Sequence, residues 1–263
     1  MNLTIITKKV LQLVDEVSNF ITEELKNFDT KKIEVKGIND FVSYVDKTAE
    51  KMIVKGLIKI IPESGFIAEE NTSTKIGKTY NWIVDPLDGT TNFIHGVPCF
   101  CISIALKRDD TIIIGVVKEI NKNESFYSYE GAPAYLNGDI INVTKTINLK
   151  DSLLATGFPY YDFEKLDEYM ELFKHFMKST HGVRRLGSAA ADLAYVACGR
   201  FDAFYEYSLK PWDVAAGAFI VQQAGGKISD FKGGDNWLFG QEMVACNSKM
   251  YDEFMESIKL HFN

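Results

Sequence analysis

Five short runs between residues 65 and 129 constrain the fold most: Gly65 to Ala68, Trp82 to Val84, Phe100 to Leu106, Thr111 to Val117 and Ser125 to Tyr129. Each is rich in β-branched or aromatic residues and turn formers separate them, so they read as strands. Arg108-Asp109-Asp110 suits a hairpin turn between two of them. Ahead of the strands, Leu3, Ile6, Val10, Leu13, Val14, Val17, Phe20, Ile21 and Leu25 recur at steps of three and four, which predicts an amphipathic helix ending before Lys31. A second helix is expected from about Val45 to Ile60, with Ala49, Met52, Ile53, Leu57 and Ile60 on one face and Pro62 as its stop.

After about Asn148 the pattern changes. Ser152 to Thr156 reads as a strand, Phe163 to Met177 and Ser188 to Cys198 as helices, and Phe201 to Tyr205 as a strand. A helix from Pro211 to Ala224 closes on Gly225-Gly226, strands follow at Lys227 to Ser229 and Met243 to Cys246, and a last helix starts near Ser248. This alternation predicts an α+β half, residues 1–147, packed on an α/β half, residues 148–263. Neither a low-complexity linker nor an internal repeat separates them.

Composition narrows the class of function. The chain has 263 residues with 29 Lys+Arg against 36 Asp+Glu, a formal charge of −7. That balance repels polyanions, so neither nucleic acid nor an anionic membrane is expected as a partner. Charged residues interrupt the first 30 positions, which no secretory core tolerates, and no apolar stretch reaches the roughly 18 residues that suggest a bilayer span, so a cytoplasmic location is expected. Cys99, Cys101, Cys198 and Cys246 form no CxxC pair and read as reduced thiols.

The chemistry concentrates in Trp82-Ile83-Val84-Asp85-Pro86-Leu87-Asp88-Gly89-Thr90-Thr91-Asn92-Phe93. An apolar strand runs into two carboxylates, with Pro86 fixing the backbone between them so that Asp85 and Asp88 can converge while the Leu87 carbonyl turns outward. Hard cations such as Mg²⁺ favour such an oxygen-only set. The Gly89 and Thr90 N–H groups, at a helix start, suit a phosphate oxygen. Taken alone, Asp88-Gly89 also fits a plain turn and Asp85 a helix cap. Glu69 and Glu70 end an apolar strand, where Glu70 also reads as a solvated loop acid. Asp213, after Pro211, suits the first turn of a helix even without a metal, and Ala215, Ala216 and Gly217 suggest close packing of that helix against other backbone.

Together, the acidic pair after a strand, DPLDGTTNF and PWDVAAG resemble the inositol monophosphatase family of Mg²⁺-dependent, lithium-sensitive phosphatases over nearly the whole chain. The resemblance implies a layered αβαβα sandwich of the inositol monophosphatase and fructose-1,6-bisphosphatase type. It implies metal ligation by Glu69, Asp85, the Leu87 carbonyl, Asp88 and Asp213, for two or three Mg²⁺ ions, with Asp46 reaching the third through water. It further implies that Thr90 and Glu69 orient the attacking water, that Gly89 and Thr90 bind phosphate, and that Glu206, Asp213 and Gly187-Ser188-Ala189 hold the alcohol. Leu87 and Asp88 belong to the same substrate-facing loop. Residues Lys36 to Asp46 look like the family's segment with a mobile-loop lysine, and a homodimer is implied.

The expected reaction is hydrolysis of inositol monophosphate by direct attack of a metal-activated water, with Asp85 as an aspartyl nucleophile the rival in principle. Close alternatives share the chemistry but take fructose 1,6-bisphosphate, 3′-phosphoadenosine 5′-phosphate, histidinol phosphate or NADP. A catalytically silent regulatory or RNA-associated module is the alternative from another class. No P-loop, GxGxxG or GxSxG element supports a nucleotide cofactor or a serine hydrolase. His95 reads as structural, and Phe204, Tyr205, Tyr207 and Trp212 as core. Arg184 and Arg185 are open between a surface ion-pair strip and contact with substrate or a partner subunit.

Overall fold

Alternation along each strand decides which layer its side chains join. The computed structural model describes residues 1–27, 33–37, 40–159 and 162–262. In the first sheet, β3 (Gly65–Ala68) lies parallel to β4 (Tyr80–Asp88). From β4 an antiparallel meander continues through β5 (Cys101–Arg108), β6 (Thr111–Glu119), β7 (Glu124–Tyr129), β8 (Ala134–Leu136) and β9 (Asp139–Ile141). Trp82 and Val84, with Ile102, Ile104 and Leu106, face α1 (Leu3–Lys26) and α2 (Tyr44–Ile60), meeting Val10, Val14 and Val17 of the first helix and Ala49, Ile53 and Leu57 of the second. Their neighbours Ile83, Cys101 and Ala105 point the other way, onto α5 (Ala189–Ala197) and α6 (Pro211–Gln223). Each fully buried aliphatic side chain here contributes on the order of 1.5–3 kcal/mol.

The second sheet covers the far side of that helix pair. Its order is β11 (Gly182–Arg184), β10 (Leu153–Thr156), β12 (Ala203–Tyr207), β14 (Glu242–Asn247) and β13 (Gly226–Ser229). β10 is parallel to β11 and β12, while β14 is antiparallel to β12 and β13. Phe204 and Ala245 face α5 and α6, and Ala203, Tyr205 and Val244 face the outer helices α4 (Leu166–Ser179) and α7 (Tyr251–His261). The result is five layers, αβαβα, as the resemblance implies. Small residues let the middle layer close: a methyl group on Gly217 would stand 2.6 Å from Leu193 Cβ, and one on Gly115 would stand 2.7 Å from the Ala216 carbonyl. That is the close backbone packing expected of α6.

Several boundaries differ from expectation for local reasons. β4 runs on to Asp88 because its ladder with β5 shifts register between Asp85 and Asp88, which accommodates Pro86, a residue with no N–H to donate. β12 starts at Ala203 rather than Phe201 because the Phe201 N–H is spent on the Tyr195 carbonyl at the end of α5. α7 starts at Tyr251, since Asn247 Oδ1 accepts the Lys249 and Met250 N–H groups and holds a turn ahead of it. α4 begins at Leu166, three residues late. Absent from the sequence expectation are β8 and β9, joined at Asn137-Gly138 with both residues in the left-handed region, while the helix start expected at Gly89-Thr90 opens a short helix α3 (Thr90–His95). A hairpin of β1 (Ile33–Gly37) and β2 (Asp40–Ser43) precedes α2. The first helix ends at Lys26, before Lys31 as expected, with Asn27 as its cap, and part of the Lys36 to Asp40 loop falls on positions outside the described residues.

Candidate active site

The irregular end of β4 starts the site. Asp85, 2% exposed, accepts the Leu87 N–H through Oδ1 at 2.9 Å, a local bond that the missing N–H of Pro86 leaves room for. Gly89 then takes a φ of +95°, which side chains resist, and α3 begins. Inside α3, Asn92 donates to the Cys99 and Leu186 carbonyls at 2.7 and 2.8 Å, tying the motif to the loop before α5. Asp88 completes the junction: its Oδ2 accepts Ser188 Oγ at 2.6 Å and the Ala190 N–H at 2.7 Å. Ser188 in turn caps α5 by accepting the Ala191 N–H.

One cavity of about 490 Å³ gathers the expected residues. Glu69, Asp85, Leu87, Asp88, Gly89 and Thr90 line it from the first sheet and its loops. Gly187, Ser188, Ala189, Glu206 and Asp213 line it from the second sheet and the middle helices. Asp46 does not reach the cavity wall; it acts through Thr90, whose hydroxyl lies 2.8 Å from Asp46 Oδ1 and 3.0 Å from the Leu87 carbonyl. The other Asp46 oxygen accepts the Ser43 N–H and hydroxyl in a capping box at the start of α2. Glu70 and His95 lie outside the cavity lining, and His95 is exposed. Asp213 joins both of its expected readings, since it accepts the Lys210 N–H at 2.7 Å in the first turn of α6 and lines the cavity as well.

Electrostatics set the character of this cavity. Burial pushes the Asp85 carboxyl well above its ordinary range, and the charges of Glu69, Asp88 and Asp213 push it further. Burial raises Asp88 to about 6 against the pull of Ser188, the Ala190 N–H and Arg185. Asp213 is raised to about 7 by burial and by Asp88. Glu206 is raised by burial and by Asp213, and Asp46 by burial. Clustered acids that hold their protons this strongly are short of positive charge. Among the described residues, no three His, Cys, Asp or Glu side chains already close on one point. Asp85, Asp88 and Asp213 are instead each engaged in hydrogen bonds of their own.

The match to the inositol monophosphatase family model runs over residues 2–261. The chain belongs to the inositol monophosphatase family. It is 40% identical to the Nus factor SuhB of Pseudomonas aeruginosa over 95% of this chain and 94% of that one. With the inositol-1-monophosphatase of Mesorhizobium japonicum it shares 36% identity over 95% and 94%. Among solved structures, the extragenic suppressor protein suhB of Bartonella henselae superposes with a TM-score of 0.90 at 35% identity over 96% and 97%. The Anabaena inositol monophosphatase gives 0.85 at 31% identity over 99% and 97%.

Members of the inositol monophosphatase family are generally Mg²⁺-dependent, and the donor set here fits such an ion. It offers carboxylate and carbonyl oxygens only, from Glu69, Asp85, Leu87, Asp88 and Asp213, with the charges of Glu69, Asp88 and Asp213 all raising the Asp85 carboxyl.

Sequence reading missed Asp192 and Gly157 in this cavity and left Arg185 open. Asp192, 1% exposed, lines it, and its Oδ1 has no hydrogen-bond partner among the described residues. It was findable as the only charged residue in the otherwise apolar run AAADLAYVA. Arg185, left open above, lines the cavity, and its positive charge offsets Asp88, Asp192 and Glu206. Gly157 lies so close to the Glu206 carboxylate that an added methyl would stand 2.0 Å from Oε2, a constraint that no local pattern announces. Phe204, Tyr205 and Tyr207 are core residues as expected, while half-buried Trp212 also lines the cavity, as does Tyr207.

Proposed function

We propose that this chain is a Mg²⁺-dependent phosphomonoesterase that hydrolyses inositol monophosphate to inositol and phosphate. The observation that carries the reading is the convergence on one cavity of buried Asp85 and half-buried Glu69, Asp88 and Asp213 with Thr90 and Glu206. The residues come from both 1–147 and 148–263, which supports treating the two halves as one catalytic unit. Glu69, Asp85, the Leu87 carbonyl, Asp88 and Asp213 would hold two Mg²⁺ ions, with a third held more weakly near Asp46. Bound there, the ions lower the pKa of water and neutralise charge on the ester and on the leaving oxygen.

The chain's own residues supply the geometry. A hydroxyl has one proton, so Thr90 donating to Asp46 keeps lone pairs free to accept from a water and aim it at phosphorus. Glu69 is the second acceptor for that water. Gly89 and Thr90 N–H groups hold phosphate oxygens. Glu206 and Asp213 accept hydroxyl hydrogen bonds from the alcohol, alongside the backbone of Gly187, Ser188 and Ala189, and Asp213 positions a water that protonates the leaving oxygen. Attack is direct; a phosphoenzyme trapped by rapid quench with labelled ester would overturn this.

Phosphate release from inositol 1-phosphate, titrated with Mg²⁺ and compared by kcat/KM with the bisphosphate, nucleotide and histidinol esters, tests the reading. Metal-dependent release with preference for the inositol ester is expected, and a strong nucleotide preference would overturn the substrate. The names of relatives such as the Pseudomonas SuhB favour a second reading, a regulatory role in transcription complexes. Every expected ligand position carries an oxygen donor, so that role would sit beside the chemistry; no release at any Mg²⁺ concentration would leave the regulatory role alone. A cytoplasmic homodimer that does not bind nucleic acid completes the proposal. In its support, all four cysteines are free thiols, and no helix among the described residues is long and apolar enough to cross a membrane. Lithium sensitivity and the dimer rest on the family resemblance.

A further inference from the structure

Glu50 has no place in the roles above, yet it is a fully buried carboxylate in α2, one helical turn beyond Asp46. A buried carboxylate costs several kcal/mol unless its oxygens are satisfied, so its presence needs a geometric reason. Both oxygens are spent on one turn: Oε2 accepts the Glu70 N–H at 2.7 Å and Oε1 accepts the Thr72 N–H at 2.7 Å. That turn follows β3 directly and presents Glu69 to the cavity.

The peptides on either side of Glu69 are therefore anchored differently. The preceding one donates the Glu69 N–H to the Val84 carbonyl at 3.2 Å, on the strand that carries Asp85. The following one donates the Glu70 N–H to Glu50, on the helix that carries Asp46. Within the turn, Asn71 is left-handed with φ +54°, and its N–H reaches Ala68 only at 3.3 Å, a long bond for a reversal this tight. The two short, charge-assisted bonds to Glu50 are the stronger restraint.

We propose that Glu50 is a positioning residue: by clamping the turn after β3 it sets where the Glu69 carboxylate stands relative to Asp85, and so the affinity of the site for a divalent cation. The inference rests on the reading of Glu69 as a ligand. It also gives α2 a single task, with Asp46 holding Thr90 and Glu50 holding the Glu69 turn from successive turns of one helix.

Mn²⁺ titrated calorimetrically into the metal-free full chain tests it, alongside thermal melts. Glu50→Gln keeps the shape but faces one backbone N–H with an amide N–H. It is expected to weaken Mn²⁺ binding about 10- to 100-fold, the range seen when groups supporting a ligand are lost. In a Glu69→Gln background the same change should add nothing, because the residue it positions is already impaired. Glu50→Asp, which keeps the charge but withdraws it by one methylene, should also weaken binding and serves if the glutamine variant fails to fold. Wild-type affinity in a folded Glu50 variant, or a full additional loss in the Glu69→Gln background, overturns the inference. If the wild-type chain itself binds no Mn²⁺, the metal-site reading fails first, and with it the inference.

Discussion

Gly157→Ala separates the pocket for the alcohol from the chemistry at phosphorus. The added Cβ would stand 2.0 Å from Glu206 Oε2 and 2.1 Å from its Cδ and Oε1, against the 3.4 Å at which ordinary contact begins. Backbone strain is not the issue, because Gly157 is absent from the positive-φ glycines. The carboxylate must therefore leave its place, and at 7% exposure Glu206 has little room to do so. Losing hydrogen bonds to a charged acceptor costs roughly 1.5–3 kcal/mol, which is about 10- to 150-fold in kcat/KM for an ester whose alcohol carries hydroxyls. A phenyl ester such as 4-nitrophenyl phosphate offers Glu206 no hydroxyl, so its kcat/KM should change less than about threefold. Steady-state kinetics on both substrates, with a melt to confirm folding, decides the matter. Equal losses on both esters, or unchanged activity on the inositol ester, would refute the assignment of Glu206.

Three further outcomes are expected. Asp85→Asn should lower phosphate release by orders of magnitude, since removing one charge from the centre of the acid cluster weakens cation binding throughout; near-normal kcat at saturating Mg²⁺ would contradict this. Ser188→Ala removes the cap of α5 and one donor to Asp88, so it should cost about 1 kcal/mol by thermal melt and move the Asp88 carboxyl further above about 6. Asp88 near 6 and Asp213 near 7 both lie above the ordinary 3.8, so the metal-free fold is favoured by these groups at low pH and loses that contribution as pH rises through 6 and 7. Scanning fluorimetry should therefore show Mg²⁺ raising Tm much more at pH 8 than at pH 5, and an equal gain at both would count against the site.

How much was legible in the chain follows the range over which each feature acts. Trp82, Ile83 and Val84 reveal their strand because β-branched and aromatic enrichment is local, and Pro211 with Asp213 marks a helix start for the same reason. Asn137-Gly138 carried an equally local hairpin signal that went unread beside strands of only three residues. Pairing across the chain is different. That Asp88 should bond the N-terminus of α5, 102 positions away, depends on how the two sheets stack on the middle helices. Gly157 and Glu206 meet because β10 pairs with β12, a register that no window of either strand specifies. Glu50 reads as an ordinary helix acid until the turn that it holds is placed above it.

The net charge of −7 and a proposed anionic ester are reconciled by where the acids lie. Carboxylates scattered over a surface would be ionised near neutral pH and would repel phosphate. Asp85, Asp88 and Asp213 are instead packed beside one another at the mouth of the middle helices, where burial raises all three carboxyls above their ordinary range and neighbouring acids raise Asp85 and Asp213 further. The cavity by itself is therefore less negative than its composition, and Arg185 offsets part of what remains. A divalent cation entering such a site displaces protons rather than simply adding to a fixed charge. The local field thus turns from proton-holding to phosphate-attracting only with the cation bound, which ties recognition of the ester to the same acids that hold the ion.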